Sequence, residues 1–147
     1  MKTAILKLSG KAIEDFITDN KWLKVIENLN HTYDGLVIVH GAGTSISEWS
    51  QKLGGTAEFV NGQRVTDKST MEIVAAVQSG LLNAKLVSHL LTNDYEAVGL
   101  NGNDRGLFVA DYLNKDLGFV GLPKLKGKTT WLKKMLNEGV IPVFSSI

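Results

Sequence analysis

Four short runs rich in β-branched residues recur along the chain: "TAILKLS" (3–9), "GLVIVH" (35–40), "EAVGLN" (96–101) and "VIPVFSS" (140–146). Each has the length and composition of a strand. Between them the apolar positions recur at helical spacing, which predicts helices over 12–29, 44–53, 67–92 and 128–138. The third is the clearest, because Thr66 or Asp67 can cap its start and Met71, Val74, Val77, Leu81 and Leu82 then follow one stripe. Asn137-Glu138-Gly139 closes the last helix with a glycine beyond its end. Strands alternating with helices imply parallel βαβ units with right-handed crossovers. The expected fold is α/β, a three-layer αβα sandwich around a mainly parallel sheet. Two hairpin-like insertions, 55–65 and 105–121, interrupt the pattern.

The strand ends change the picture from architecture to chemistry. The first run ends in Ser9-Gly10, the second in His40-Gly41-Ala42-Gly43, the third in Asn101-Gly102-Asn103 and the fourth in Ser145-Ser146. In an open parallel sheet these ends lie on one edge, where ligands bind. A glycine turn that leads into a helix start presents backbone N–H groups to an anion, and "HGAGTSISEW" has that form. Lys7 joins the same edge; inside an apolar strand its charge needs a partner, and none lies beside it in sequence. Two familiar nucleotide motifs are absent. Gly41-Ala42-Gly43 is followed by Ile46 where a dinucleotide fingerprint needs its third glycine, and "GLPKLKGKT" misses P-loop spacing by one residue.

Composition then narrows the class. The 147 residues make one ordinary domain, and no cysteine is present, which excludes disulfides and thiolate metal sites and points to a reducing cytoplasm. Lys and Arg number 16 against 15 Asp and Glu, a net charge of +1 that argues against nucleic-acid or membrane-surface partners. No signal-peptide core is evident, and no apolar stretch is expected to reach the roughly 18 residues of a membrane span. The chain stops at Ile147 directly after the fourth strand, which leads to the expectation of an N-terminal part of something longer.

The ordered motifs resemble the amino acid kinase superfamily and, within it, the acetylglutamate kinases. "ILKLSGKAI" is similar to that family's first strand and turn, and "VIVHGAG" to its second. "EFVNGQRVTDKSTMEIVAAVQSGLLNAKLV" resembles its most diagnostic segment, and "AVGLNGNDRGLFVA", "DLGFVG" and "LNEGVIPVFSSI" continue in the same order. The resemblance covers the whole chain and implies ATP-dependent phosphorylation of the side-chain carboxylate of N-acetyl-L-glutamate, a step of arginine biosynthesis, with Mg²⁺ accompanying ATP. Family members are roughly twice as long, so residues 1–147 correspond to the acyl-amino-acid-binding half, without the nucleotide-binding C-terminal half. These residues alone are expected to be inactive.

Carried over by motif, Lys7 would steady charge on the transferred phosphoryl group and Gly10 would touch the nucleotide phosphates. Gly41, Ala42 and Gly43 would line the substrate through their amides, and Arg64 would clasp its α-carboxylate. His40 is read as structural, Asp67 as a helix cap and Asp104 as a turn residue, and no metal ligands are assigned. The family's glycine at position 42 is alanine here, whose methyl is expected to crowd the substrate or to strain the turn. Alternatives in keeping with that change are a kinase for another N-acyl or carrier-linked glutamate or aminoadipate, or a non-catalytic acyl-amino-acid-binding module. Homo-oligomers are usual in such a family.

Overall fold

A computed structural model describes residues 1–147. Strands β1 (Thr3–Leu8), β2 (Gly35–His40), β5 (Ala97–Asn101) and β8 (Ile141–Ser145) form one parallel sheet in the order β1-β2-β8-β5. Helices α1 (Ala12–Thr18), α2 (Lys21–Thr32) and α3 (Gly43–Lys52) precede the first hairpin, β3 (Phe59–Val60) with β4 (Gln63–Arg64). Next come α4 (Lys68–Val74), a π-helical stretch (Ala75–Leu82) and α5 (Asn83–Leu91), which run on as one 24-residue helix. A second hairpin, β6 (Phe108–Tyr112) with β7 (Gly121–Leu125), is followed by α6 (Thr130–Asn137).

Alternation decides what each sheet face does. Ala4, Leu8, Leu36, Ile38, Ile141 and Val143 share one face and form a single core with Phe16, Ile26, Ile46, Val77, Leu86 and Leu90 from the helices. On the other face α6 covers the middle strands, with Leu136 lying over Gly35. The expected three layers are present, with far more helix on one side than on the other.

Four sequence expectations are corrected. The stretch 12–29 is two helices, because Asp19 takes an extended backbone (φ −101°, ψ 110°) and its carboxylate accepts from the Lys21 amide. The long helix does not keep α-helical phase. Through the π segment the wider turn rotates Leu81 outward, to 37% exposure, while Leu82 is buried. β1 is an edge strand rather than a buried one, so Ile5 is 71% exposed and Lys7 is also in solvent. The strand's burial is one-sided, and the lysine therefore sits on the open side without the desolvation expected of a dry strand. Finally, the 24-residue helix is apolar enough by composition to cross a membrane, at mean hydropathy 1.2, but here its buried stripe of Val77, Leu82, Leu86 and Leu90 lies against the sheet.

Candidate anion-binding site at the strand ends

The C-terminal ends of the four parallel strands gather the glycine turns. The Gly41 amide donates to the Leu8 carbonyl (3.1 Å), and the Ser146 amide to the His40 carbonyl (3.0 Å), so three loops are stitched edge to edge. The turns after β1 and β2 press so closely together that a Cβ built on Gly10 would stand 2.9 Å from the Gly43 nitrogen and 3.1 Å from the Ala42 carbonyl carbon. Only glycine leaves both backbones where they are.

Helix α3 starts in this turn with no side chain capping it. The amides of Ala42, Gly43, Thr44 and Ser45 have no hydrogen-bond partner within the chain, and nothing stands within 4 Å of the Cβ direction at Gly43. Free amides at a helix start carry partial positive charge and suit an anion. Ala42 does not crowd this shelf: its φ is −150°, outside the left-handed region, and its methyl is only 2% exposed within the core. The strain or crowding expected from alanine at this position is absent because the turn directs the side chain inward.

Arg64 reaches the same turn from β4. Its Nη2 donates to the Gly43 carbonyl (3.2 Å) and to Ser47 Oγ (2.6 Å), and the guanidinium stacks on the Phe59 ring at 4.6 Å. Its Nη1 is shut away from water with no partner, and burial pushes the guanidinium below its usual pKa. A buried donor left unpaired costs about 1–3 kcal/mol; Nε also makes no hydrogen bond within the chain and, unlike Nη1, is not closed to water. Lys7 sits two residues before Ser9-Gly10, and neither of the chain's two ion pairs involves it.

Beneath the shelf lies a polar scaffold that sequence reasoning named only in part. Asn83 Nδ2 donates to His40 Nε2 (3.0 Å) and to the Val143 carbonyl (2.9 Å). An amide nitrogen only donates, so His40 must accept at Nε2 and is neutral, with its proton at Nδ1 directed to the Gly41 carbonyl (3.2 Å). Burial lowers the His40 pKa, a shift that the Gly41 carbonyl only partly opposes. Gln78 reaches Ser146 Oγ, Ser79 meets Ser145 Oγ, and Ser145 donates to Asn101 Oδ1 (2.6 Å). Polar residues inside the apolar stripe of the long helix were the available signal for Gln78 and Asn83. A separate open cleft of about 370 Å³, lined by residues such as Glu14, Lys85 and His89, lies between α1 and α5 rather than on the shelf.

Residues 2–147 match the amino acid kinase family. The chain is a member of that family. It is 37% identical over 143 residues to the acetylglutamate kinase of Cereibacter sphaeroides, covering 97% of this chain and 48% of that protein. It is 38% identical over 148 residues to the acetylglutamate kinase of Kosmotoga olearia, covering 99% and 52%. The chain thus spans about half the length of the curated relatives it matches. Among solved structures it is similar to smu.665 from Streptococcus mutans UA159, with 27% identity and a TM-score of 0.87 over 98% of this chain and 58% of that one. N-acetylglutamate synthase from Neisseria gonorrhoeae, at 23% identity and TM-score 0.74 over 98% of this chain and 33% of that one, shares the fold. The amino acid kinase fold therefore places the glycine shelf and Arg64 at the carboxyl edge of its sheet.

Proposed function

We propose that these residues form the acyl-amino-acid-binding half of an ATP-dependent kinase that phosphorylates the side-chain carboxylate of N-acetyl-L-glutamate, acting in the cytoplasm in arginine biosynthesis. The observation that carries this reading is the run of unpartnered amides from Ala42 to Ser45 beside the Arg64 guanidinium, which is anchored to the Gly43 carbonyl. Two groups of anion-binding donors on one rim suit a dicarboxylate whose one end is fixed while the other reacts. The names of the relatives support this choice of substrate.

The chemistry asks for little acid–base help. A glutamate side chain ionises near pH ~4.3, so the nucleophile is already charged at neutral pH. The difficulty is the approach of one anion to another, and positioned positive charge answers it. Lys7 and the Gly10 turn would face the phosphates of ATP, which supplies the phosphoryl group. The amides of Gly41, Ala42 and Gly43 would line the acceptor and the migrating group. Arg64 would hold the α-carboxylate. No cluster of three or more His, Asp or Glu side chains stands ready to hold a metal ion, so no step here is assigned to Mg²⁺.

Titration of the ¹⁵N-labelled chain with N-acetyl-L-glutamate tests the reading. The expected result is a set of shifts centred on Gly10, Gly41, Ala42, Gly43 and the Arg64 side chain. Shifts centred on the cleft between α1 and α5, or no binding at all, would refute it. The 147-residue chain alone should release no ADP from ATP in the presence of this acceptor.

A further inference from the structure

We infer that Ser47 is the positioning residue for Arg64, and that it turns that arginine into a one-point donor through Nε. The inference rests on the reading of Arg64 as the carboxylate-binding group and deepens it. Ser47 lies one helical turn beyond Gly43 in α3, and its hydroxyl donates to the Gly43 carbonyl (3.1 Å). The same oxygen accepts from Arg64 Nη2 at 2.6 Å, the shortest hydrogen bond that this arginine makes. Nη2 therefore has two acceptors at once, the Gly43 carbonyl and Ser47 Oγ.

This changes how an anion can be bound. A guanidinium grips a carboxylate at two points either end-on, through Nη1 and Nη2, or side-on, through Nε and Nη2. Both grips need Nη2, which is already engaged. Nη1 and Nε are left unpaired, and of the two only Nε is not closed to water. A carboxylate would therefore place one oxygen on Nε and leave the other for the free amides at the start of α3. The planar fork of a free guanidinium favours a two-point clasp; the Ser47 contact gives a divided one. It also makes α3 the common anchor for both groups of donors, because Gly43 offers its amide to the ligand and its carbonyl to the arginine. The Phe59 ring packs against the guanidinium, with its centroid 4.6 Å from Cζ.

The test compares dissociation constants for N-acetyl-L-glutamate, read by titration of the 147-residue chain, for the unsubstituted protein, Ser47→Ala, Ser47→Thr and Arg64→Ala. Ser47→Ala should weaken binding about tenfold, the loss of one hydrogen bond to a charged group. Ser47→Thr, which keeps the hydroxyl, should restore most of it. With the α-amide of N-acetyl-L-glutamate, which lacks the carboxylate, the unsubstituted chain and Ser47→Ala should bind equally weakly. A purely structural serine would lower both ligands alike, and that result overturns the inference. Unchanged or tighter binding by Ser47→Ala, with Arg64→Ala still weak, also overturns it and leaves the role of Arg64 standing. If Arg64→Ala binds like the unsubstituted chain, the carboxylate reading itself falls, and this inference with it.

Discussion

Between β2 and α3, and again between β7 and α6, the chain brings a glycine into the start of a helix at the same rim, with small polar and basic residues around it. In the first turn the amides from Ala42 to Ser45 are left without partners, and the space at Gly43 is open. In the second, the Lys126 and Gly127 amides both donate to the Leu107 carbonyl, at 2.9 and 3.0 Å. A Cβ on Gly127 would stand 2.7 Å from the Gly106 oxygen. The first turn therefore leaves its own donors free, and the second uses its own to fasten a hairpin, although the amides from Lys128 to Leu132 that follow it are unpartnered as well. Whether a glycine loop can bind an anion depends on whether its N–H groups are already engaged, which a motif does not record.

The largest effect that could break this contrast concerns the lysines. Lys7 precedes the open turn and has no ion-pair partner, whereas Lys126 and Lys128 flank the fastened one. In an enzyme carrying both halves, Lys7→Ala should lower kcat on the order of 10²–10³-fold, as loss of one preorganised charge stabiliser does. Its KM for N-acetyl-L-glutamate should move far less, because ground-state binding is assigned to the amides and Arg64. Steady-state kinetics decides it: an unaltered kcat would remove Lys7 from the phosphoryl site.

Next in size are the glycines themselves. Gly10→Ala and Gly127→Ala each force a methyl against backbone, so each should cost about 1–3 kcal/mol in urea unfolding. Their effects on ligand should part. Gly10→Ala displaces the Gly43 amide and should weaken N-acetyl-L-glutamate binding even where the protein is fully folded. Gly127→Ala should leave the dissociation constant unchanged. Equal losses of affinity in the two variants would mean that the turns are not functionally distinct.

Much of this was legible in the residues. The strand runs and the glycine-bearing ends placed the sheet and the rim, because side-chain alternation and turn chemistry are local properties, whereas Arg64 was singled out only by the resemblance of the NGQRVTD segment. Asp67 caps its helix as read, accepting from the Thr70 amide at 2.7 Å, which holds its carboxyl below the usual range. What stayed hidden was set by tertiary packing. The inward methyl of Ala42 depends on how β1 and β2 meet, and the outward turn of Leu81 on a π segment without a local signature. The Ser47–Arg64 bond joins residues 17 apart in sequence, and the Asn83–His40 bond residues 43 apart. No periodicity encodes such meetings.

The scaffold under the open turn offers a smaller, pH-dependent test. His40 is neutral in the fold and its pKa lies below the ordinary value of 6.5 because burial disfavours the charged ring. Between that lowered value and 6.5 the unfolded chain binds more protons than the folded one. Stability therefore falls as pH drops through that window and levels off below the folded pKa. Urea midpoints at pH 7.5 and 5.5 should separate more for the unsubstituted chain than for His40→Gln. Parallel losses would mean that the Asn83–His40 contact does not hold the ring neutral.

The smallest expected effect is the sharpest control. Lys126 and Lys128 lie in the stretch that misses P-loop spacing by one residue, and both are exposed beside the start of α6. Surface substitutions away from packed features usually change stability by less than about 0.5 kcal/mol. The double substitution Lys126→Ala, Lys128→Ala should stay within that range and bind N-acetyl-L-glutamate as before, since the Lys126 and Gly127 amides are already engaged with Leu107. Titration settles the point. A loss of affinity comparable to that of Arg64→Ala would show that positive charge alone, wherever it stands on the rim, draws the ligand. The contrast between open and engaged amides would then fail, and the whole carboxyl edge would have to be treated as one diffuse anion surface.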